Sequence, residues 1–188
     1  MLEHGQSVAE EYQRVLEDNG KRIRFWLKEL EKSLEYKENS KFIDFLLENQ
    51  YDNDIMKNYQ IYHDCGKPYC RKTEEIIDSE GNIQIKQHFP DHAKVSSETY
   101  AKYFDSPLIT QLILDDMNFH IHKGELLDNW LKSHINNPKY ICSLYMTAWS
   151  EIISNSKMFG GMDSTSYKIK RKALISSAKK LYSLFFRW

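Results

Sequence analysis

Hydrophobic residues recur along most of the chain at the spacing of amphipathic helices. In the first segment, residues 8–38, apolar side chains lie mostly three, four or seven positions apart, which predicts one long N-terminal helix. These positions are Val15, Ile23, Trp26, Leu27, Leu30 and Leu34. The same spacing predicts further helices at residues 40–50, 53–66, 92–104, 106–121, 123–135 and 138–156. We therefore expect an all-α bundle with short loops.

One interval, residues 68–91, lacks this helical spacing. It contains a turn sequence flanked on both sides by isoleucines, a pattern typical of a β-hairpin. The turn residues are Ser79, Glu80, Gly81 and Asn82, and the isoleucines are Ile76, Ile77, Ile83 and Ile85. We expect a small hairpin near residues 74–88 within the otherwise helical fold.

Length, charge and cysteine content narrow the class of protein. A chain of 188 residues with 41% hydrophobic residues suits one core, so residues 1–188 are predicted to form a single domain. Its 26 basic and 27 acidic residues nearly cancel, so no global field favours a nucleic acid or a membrane. Three irregularly spaced cysteines fit a reducing compartment, and no apolar run reaches membrane-spanning length. A cytoplasmic protein without a membrane partner is expected.

The sequence HDCGKP places a histidine, an aspartate and a lysine within five positions. On a helix, neighbouring side chains point about 100° apart, so His63 and Asp64 would straddle a site rather than share one face. Lys67 follows His63 by four positions and Asp64 by three, so its side chain could lie near both. Pro68 biases the backbone of Lys67 out of helical geometry. An imidazole and a carboxylate could hold a divalent cation, and the ammonium could hold a phosphate oxygen.

A second dense group of acids and imidazoles follows in DDMNFHIH, residues 115–122. On a helix, Asp116 and His120 would share a face at the spacing of helical metal pairs, whereas His120 and His122 would not. We therefore favour His120 over His122 as a ligand. So many ionisable groups would be out of place in an ordinary core, but they suit one or two cations.

The C-terminal segment, residues 161–188, is basic. It contains seven Lys or Arg residues after position 167 and no acid there. The preceding Gly160-Gly161 pair could let backbone N–H groups approach a phosphate. Four side chains could add donors to that phosphate site. They are Ser164, Thr165, Lys168 and Lys170. A solvated helix after a loop explains the same segment equally well.

Three of these motifs, in this order and spacing, resemble the HD superfamily of metal-dependent phosphohydrolases. They are HDCGKP, FPDHAKVSSE and LILDDMNFHIH. The resemblance covers about residues 55–160, within a motif-bearing core at 53–160. This segment is similar to the HD domains of tRNA nucleotidyltransferases and RNA end-healing enzymes. It implies a helical bundle that binds one or two divalent ions, commonly manganese, nickel, cobalt, iron or magnesium. It also implies hydrolysis of phosphate esters in nucleotides or nucleic-acid ends.

Residue by residue, the resemblance implies roles for five positions. His63 and Asp64 match the pair that gives the superfamily its name, Lys67 matches the motif lysine, and His92 and His120 match the later histidines. The metal set expected from motif and spacing together is His63, Asp64, His92, His120, Asp116 and Glu151. The expected catalytic residues are Asp64 and Lys67.

Two positions depart from the superfamily pattern. The usual late aspartate is replaced by Glu151, whose extra methylene could reach the site. The usual early histidine has no clear counterpart, because His4 lies in an exposed-looking tail; Asp44, Glu48 and Gln50 are the candidates to substitute for it. The sequence therefore supports two functional hypotheses. The first is a phosphohydrolase acting on a nucleotide or nucleic-acid end, and the second is a degenerate HD domain that binds a nucleotide or partner without hydrolysis.

Overall fold

The computed structural model describes residues 2–18, 20–28, 36–77 and 80–186 of the protein. Its helices are α1 (Leu2–Glu17), α2 (Lys21–Trp26), α3 (Tyr36–Glu48), α4 (Asn53–Tyr62), α5 (Lys67–Cys70), α6 (His92–Ala101), α7 (Pro107–Leu114), α8 (Asn118–Ile121), α9 (Gly124–Ser133), α10 (Pro138–Met158) and α11 (Thr165–Phe186). The expected mostly helical fold is confirmed. Among the described residues, none of the helices is both long and apolar enough to cross a membrane.

The predicted β-hairpin is also confirmed. Strands β1 (Lys72–Ile77) and β2 (Ile83–His88) pair antiparallel, with Lys72 opposite His88 and Ile77 opposite Ile83. Gly81 in the connecting turn has a φ of 85°, which a residue with a side chain rarely adopts. Ser79 of the predicted turn lies outside the described residues, as does Asp78 before it.

Helix α10 forms the centre of the bundle. Nearly all of its side chains from Tyr140 to Ser154 are buried, and α1, α3, α8 and α11 pack around it. Trp149 on α10 is fully buried and stacks on Trp26, with ring centroids 5.3 Å apart. A helix that is buried on every side holds its residues firmly in place, so a ligand on α10 has a fixed position.

The single N-terminal helix predicted over residues 8–38 is wrong. Helix α1 begins at Leu2, six residues earlier than predicted, and ends at Glu17. Gly20 then adopts a left-handed conformation with a φ of 76°, and α2 runs from Lys21 to Trp26. A left-handed residue cannot continue an α-helix, so the chain turns there. Residues 29–35 of the predicted helix lie outside the described part of the chain.

Two other predicted helices are shorter than expected. The helix at 106–121 is divided into α7 and α8, with a turn at Asp115 to Met117. Asp116 and His120 therefore do not lie on one continuous helix, and the argument from their helical spacing is wrong. The helix predicted at 53–66 ends at Tyr62, so His63 and Asp64 lie in the turn that follows it.

Helix α1 lies unusually close to α4. Gly5 is buried where the two helices meet, and a methyl group there would overlap the carbonyl oxygen of Ile61. Farther along α1, the Ser154 hydroxyl of α10 donates a hydrogen bond of 2.8 Å to Ser7. The buried carboxylate of Glu11 pairs with Lys157 of α10. These contacts fix the position of α1 relative to both helices.

We predict that Gly5→Ala destabilises the protein, although the same change inside a helix is normally stabilising. The added methyl group must push α1 away from α4, and such overpacking costs about 1–3 kcal/mol. The measurement is the free energy of unfolding in urea. Gln6→Ala, at an exposed neighbouring position of α1, is the control and should stay within about 0.5 kcal/mol of the wild type. A Gly5→Ala protein as stable as the wild type would contradict the close approach.

Candidate metal centre

Three histidines and a lysine surround the buried carboxylate of Asp64. Its Oδ2 atom lies 3.4 Å from His63 Nε2, 3.9 Å from His4 Nε2 and 2.5 Å from Lys67 Nζ. Its Oδ1 atom lies 3.7 Å from His92 Nε2. Asp64 is 2% exposed, so its charge depends on these neighbours rather than on solvent. Sequence prediction placed His63, Asp64, Lys67 and His92 together correctly, but it did not place His4 with them.

The HDCGKP turn brings these residues together because it packs against α6. A methyl group on Gly66 would overlap the backbone at Ser96, so only glycine allows the two segments to approach so closely. The Gly66 N–H donates a hydrogen bond of 2.9 Å to the Ser96 hydroxyl. Helix α6 begins at His92, and this contact places that histidine beside Asp64.

Two of the histidines are oriented by backbone carbonyls. The Nδ1–H of His63 donates to the Gln60 carbonyl at 2.7 Å, and that of His92 donates to the Phe89 carbonyl at 3.1 Å. In both cases Nε2 is the nitrogen near Asp64. Metal-binding histidines in proteins commonly have this arrangement, because a bond at one nitrogen fixes the ring and leaves the other for the ion.

His4 lies beside His63 and Asp64, although the sequence interpretation left it outside the site. Its side chain is 14% exposed, and its ring centroid lies 5.4 Å from that of His63. His4, His63 and Asp64 form a group whose ligand atoms lie within 4.8 Å of one another, close enough to hold a metal ion together. The expectation of an exposed tail was therefore wrong. A usable signal was present, because His4 lies four and eleven positions before Val8 and Val15, on the buried face of α1.

The residues considered as substitutes for the early histidine are engaged elsewhere or exposed. Asp44 is exposed and pairs with Arg24 at 3.1 Å. The Gln50 amide donates to the Leu46 carbonyl, and its oxygen accepts a hydrogen bond from Tyr12. Glu48 is exposed near the end of α3.

A second acid and imidazole pair lies on the α10 side of the site. His120 Nε2 and Glu151 Oε2 are 2.8 Å apart, and both side chains are about one-tenth exposed. The Asn155 amide donates to the other oxygen of Glu151 at 3.2 Å, which orients the carboxylate. His120, rather than His122, thus faces the acid at the late ligand position, as the sequence predicted.

Asp116 lies beside the histidines but is bonded to another residue. Its Oδ1 accepts a short hydrogen bond from the buried Tyr59 hydroxyl. Burial and the nearby charge of Glu151 raise the pKa of Asp116, although the charge of His63 acts in the opposite direction. We infer that Asp116 supports the histidines electrostatically, while Glu151 is the better placed metal ligand.

The pKa values of four groups in the site depend on one another's charges. These groups are His4, His63, His120 and Glu151. Burial alone would lower the pKa of His63, but the charges of Asp64, Asp116 and Glu151 outweigh it and raise that pKa above 6.5. In the same way, burial lowers and Glu151 raises the pKa of His120, with a net increase. Burial raises the pKa of Glu151, but the charge of His120 holds it well below its usual value. Burial lowers the pKa of His4, and the charge of His63 lowers it further.

Three buried polar atoms of the site have no hydrogen-bond partner within the described residues. They are His4 Nδ1, His63 Nε2 and Asp64 Oδ1. Unpaired buried polar atoms cost free energy, and native structures rarely leave several of them in one place. Imidazole nitrogens and carboxylate oxygens suit manganese, iron, cobalt and nickel. The donor set therefore fits a divalent metal ion.

A cleft of about 940 Å³ opens beside these groups. Lys67, His92 and Glu151 line it, together with Ser164 and Lys170 from the C-terminal part of the chain. The sequence predicted this meeting of Lys67, Ser164 and Lys170. The other two predicted substrate-binding residues, Thr165 and Lys168, are exposed and do not line the cleft.

The predicted phosphate site at Gly160-Gly161 is partly corrected by the structure. Both glycines have left-handed backbones, with φ of 80° and 74°. The Gly161 N–H donates to the Ser156 carbonyl at 2.8 Å and so closes the end of α10. That N–H group is not available to a phosphate.

No family model matches the chain, and neither the curated proteins nor the solved structures gave a match. The resemblance to the HD superfamily therefore stays a prediction.

We predict that a divalent cation binds these residues more tightly as pH rises through the range above 6.5. The raised pKa values of His63 and His120 keep both imidazoles protonated near that pH, and each proton must leave before its nitrogen can bind a metal. Manganese titrations by calorimetry, between about pH 6 and about pH 8, should show rising affinity. Titrations in buffers of different ionisation enthalpy should show proton release. An affinity that is flat over this range would exclude both histidines as ligands.

Proposed function

We propose that the protein is a metal-dependent phosphohydrolase that cleaves a phosphate ester of a nucleotide or a nucleic-acid end. The observation that carries the proposal is a group of six residues from distant parts of the chain beside one cleft: three histidines lie within 4 Å of Asp64, and the His120–Glu151 pair is electrostatically coupled to His63. These residues are His4, His63, Asp64, His92, His120 and Glu151. The resemblance to the HD superfamily requires the same set of residue types in the same order, apart from Glu151.

The chain's own residues would bind and orient the reacting groups. A divalent cation, when bound, lowers the pKa of a coordinated water and so provides a nucleophile near neutral pH. Lys67 lines the cleft next to the candidate metal centre. In the cleft, its ammonium would stabilise the charge that develops on the phosphoryl oxygens. Lys170, on the same cleft, would bind a further phosphate oxygen.

Asp64 is the better candidate for accepting the proton of the attacking water. It lies among the histidines, and its Oδ1 atom has no hydrogen-bond partner in the described residues. Asp116, the other buried aspartate near the histidines, already accepts a hydrogen bond from the Tyr59 hydroxyl. That oxygen is therefore engaged and is less available to accept a proton from water.

A second function, binding of a phosphate ester without hydrolysis, is favoured by a different observation. Lys67 Nζ lies 2.5 Å from Asp64 Oδ2, and His120 lies 2.8 Å from Glu151. These pairs neutralise both acids without a metal. In the hydrolase, a cation must displace both partners, whereas a non-hydrolytic domain would keep the pairs. Metal content by mass spectrometry, followed by hydrolysis of bis-p-nitrophenyl phosphate with added manganese or nickel, distinguishes the two functions.

We predict that His4→Ala lowers manganese affinity about 100-fold or more, because even residues that merely support metal ligands contribute factors of 10 to 100. His4 is partly exposed, so the variant should keep its helical circular dichroism. His88→Ala is the matched control, since His88 also lines the cleft but pairs with Glu74 at 3.2 Å. Equal manganese affinity in both variants would remove His4 from the site.

We predict that Lys67→Ala binds manganese at least as tightly as the wild type but loses turnover. The ammonium competes with the cation for Asp64, yet it stabilises charge in the transition state, a contribution of about 100-fold in kcat for a typical donor of this kind. Lys94→Ala, on the exposed face of α6, is the control and should leave both quantities unchanged. Weaker manganese binding would show that Lys67 holds the ligands in place, and an unchanged kcat would remove it from the mechanism.

A further inference from the structure

One face of α10 leads from the candidate metal centre to the far end of the cleft. Four residues of this helix line the cleft, together with Phe159, the residue that directly follows the helix. The four helix residues are Glu151, Ile152, Asn155 and Ser156. Eight residues of α-helix extend about 12 Å. The cleft thus has an ionic end at Glu151 and an aromatic end at Phe159.

Phe159 is held at the aromatic end with its side chain 69% exposed. Its N–H donates to the Asn155 carbonyl at 3.0 Å, and the following Gly161 N–H donates to Ser156. These bonds fix the backbone on both sides of the ring. A single exposed phenylalanine is ordinary on a protein surface, but this one lines the same cleft as Lys67 and Glu151.

Apolar and polar residues both line the cleft between its two ends. Ile152 and Tyr167, which are nearly buried, contribute apolar surface together with Met117 and Phe89, and Lys86, Gln87 and His88 of β2 contribute polar groups. Small ligands are commonly bound in this way, by apolar walls and a few convergent polar groups that set their orientation. A substrate with a phosphate at one end and a flat ring at the other would match this arrangement.

The basic residues of α11 do not continue the cleft into a track for a polymer. Lys168 and Lys172 each lie two residues from Lys170, so they point about 200° away from it around the helix. Lys168 is 3.7 Å from Asp163, and Lys180 pairs with Asp128. Arg171 donates to the Trp26 carbonyl at 3.2 Å. A polynucleotide would need several cations in line with the scissile phosphate.

We propose that the cleft binds a small, mononucleotide-sized phosphate ester whose flat ring stacks on Phe159, and that Phe159 determines this specificity. The inference rests on the proposed function for the placement of the phosphate at the metal centre. The ring contact itself requires no turnover, so binding and hydrolysis can be tested separately.

The test compares adenosine monophosphate with the corresponding ribose phosphate, which has the same ester but no base. Affinities are measured by calorimetry with the manganese-loaded protein. Stacking of a base on an aromatic side chain contributes about 1–3 kcal/mol, so wild type should prefer the nucleotide roughly tenfold or more. Phe159→Ala should abolish the preference by weakening nucleotide binding alone, and Phe159→Tyr should restore it. Phe25→Ala, which removes a phenylalanine of similar exposure on α2, should bind both compounds like the wild type.

Two results would overturn the inference. One is a nucleotide preference that is absent in the wild type or unchanged in Phe159→Ala. The other is much tighter binding of a short single-stranded oligonucleotide with a terminal phosphate, accompanied by a steep loss of affinity with salt, which would indicate a polymeric substrate. Failure of the proposed function has a different signature. In that case the nucleotide binds through Phe159, but neither it nor bis-p-nitrophenyl phosphate is hydrolysed.

Discussion

The buried carboxylate of Asp64 requires compensation for its charge, and much of the local structure supplies it. A carboxylate removed from water is costly unless cations or hydrogen-bond donors surround it. Here Lys67 lies within hydrogen-bonding distance, and three imidazoles approach within 4 Å. A divalent cation would provide more positive charge than Lys67 alone and would also partner the unpaired nitrogens. We therefore interpret the ion pairs of the site as the arrangement that a metal ion would replace.

The compensating residues come from separate elements, so their meeting depends on close backbone contacts. Gly5 lets α1 approach α4, which brings His4 to the site, and Gly66 lets the HDCGKP turn approach α6, which brings His92. Helix α10, buried on all sides, fixes Glu151. A side chain at either glycine would separate elements whose ligands must lie within a few ångströms of each other. The positions of these two glycines are therefore part of the site, although neither could bind a metal.

Much of the fold and most of the site could be predicted from the sequence, and the failures have physical causes. The hairpin follows from isoleucines on both sides of a turn sequence, and the grouping of His63, Asp64 and Lys67 follows from one dense polar motif. The placement of His92 beside them came from the resemblance to the HD superfamily. His4 was missed because the first helix was assumed to begin at Val8, which left the histidine outside the buried stripe it continues. The approach of α1 to the HDCGKP turn is a tertiary contact, and no local pattern encodes it.

The proposed function requires a divalent ion between the Asp64 group and the His120–Glu151 pair. Anomalous X-ray scattering from crystals of the protein grown with manganese would locate that ion. We expect an anomalous peak bordered by imidazoles of His4, His63, His92 or His120 and by carboxylates of Asp64 or Glu151, with Lys67 displaced from Asp64. Crystals grown with manganese that show no peak at this site, with Lys67 still bonded to Asp64 and His120 to Glu151, would contradict it.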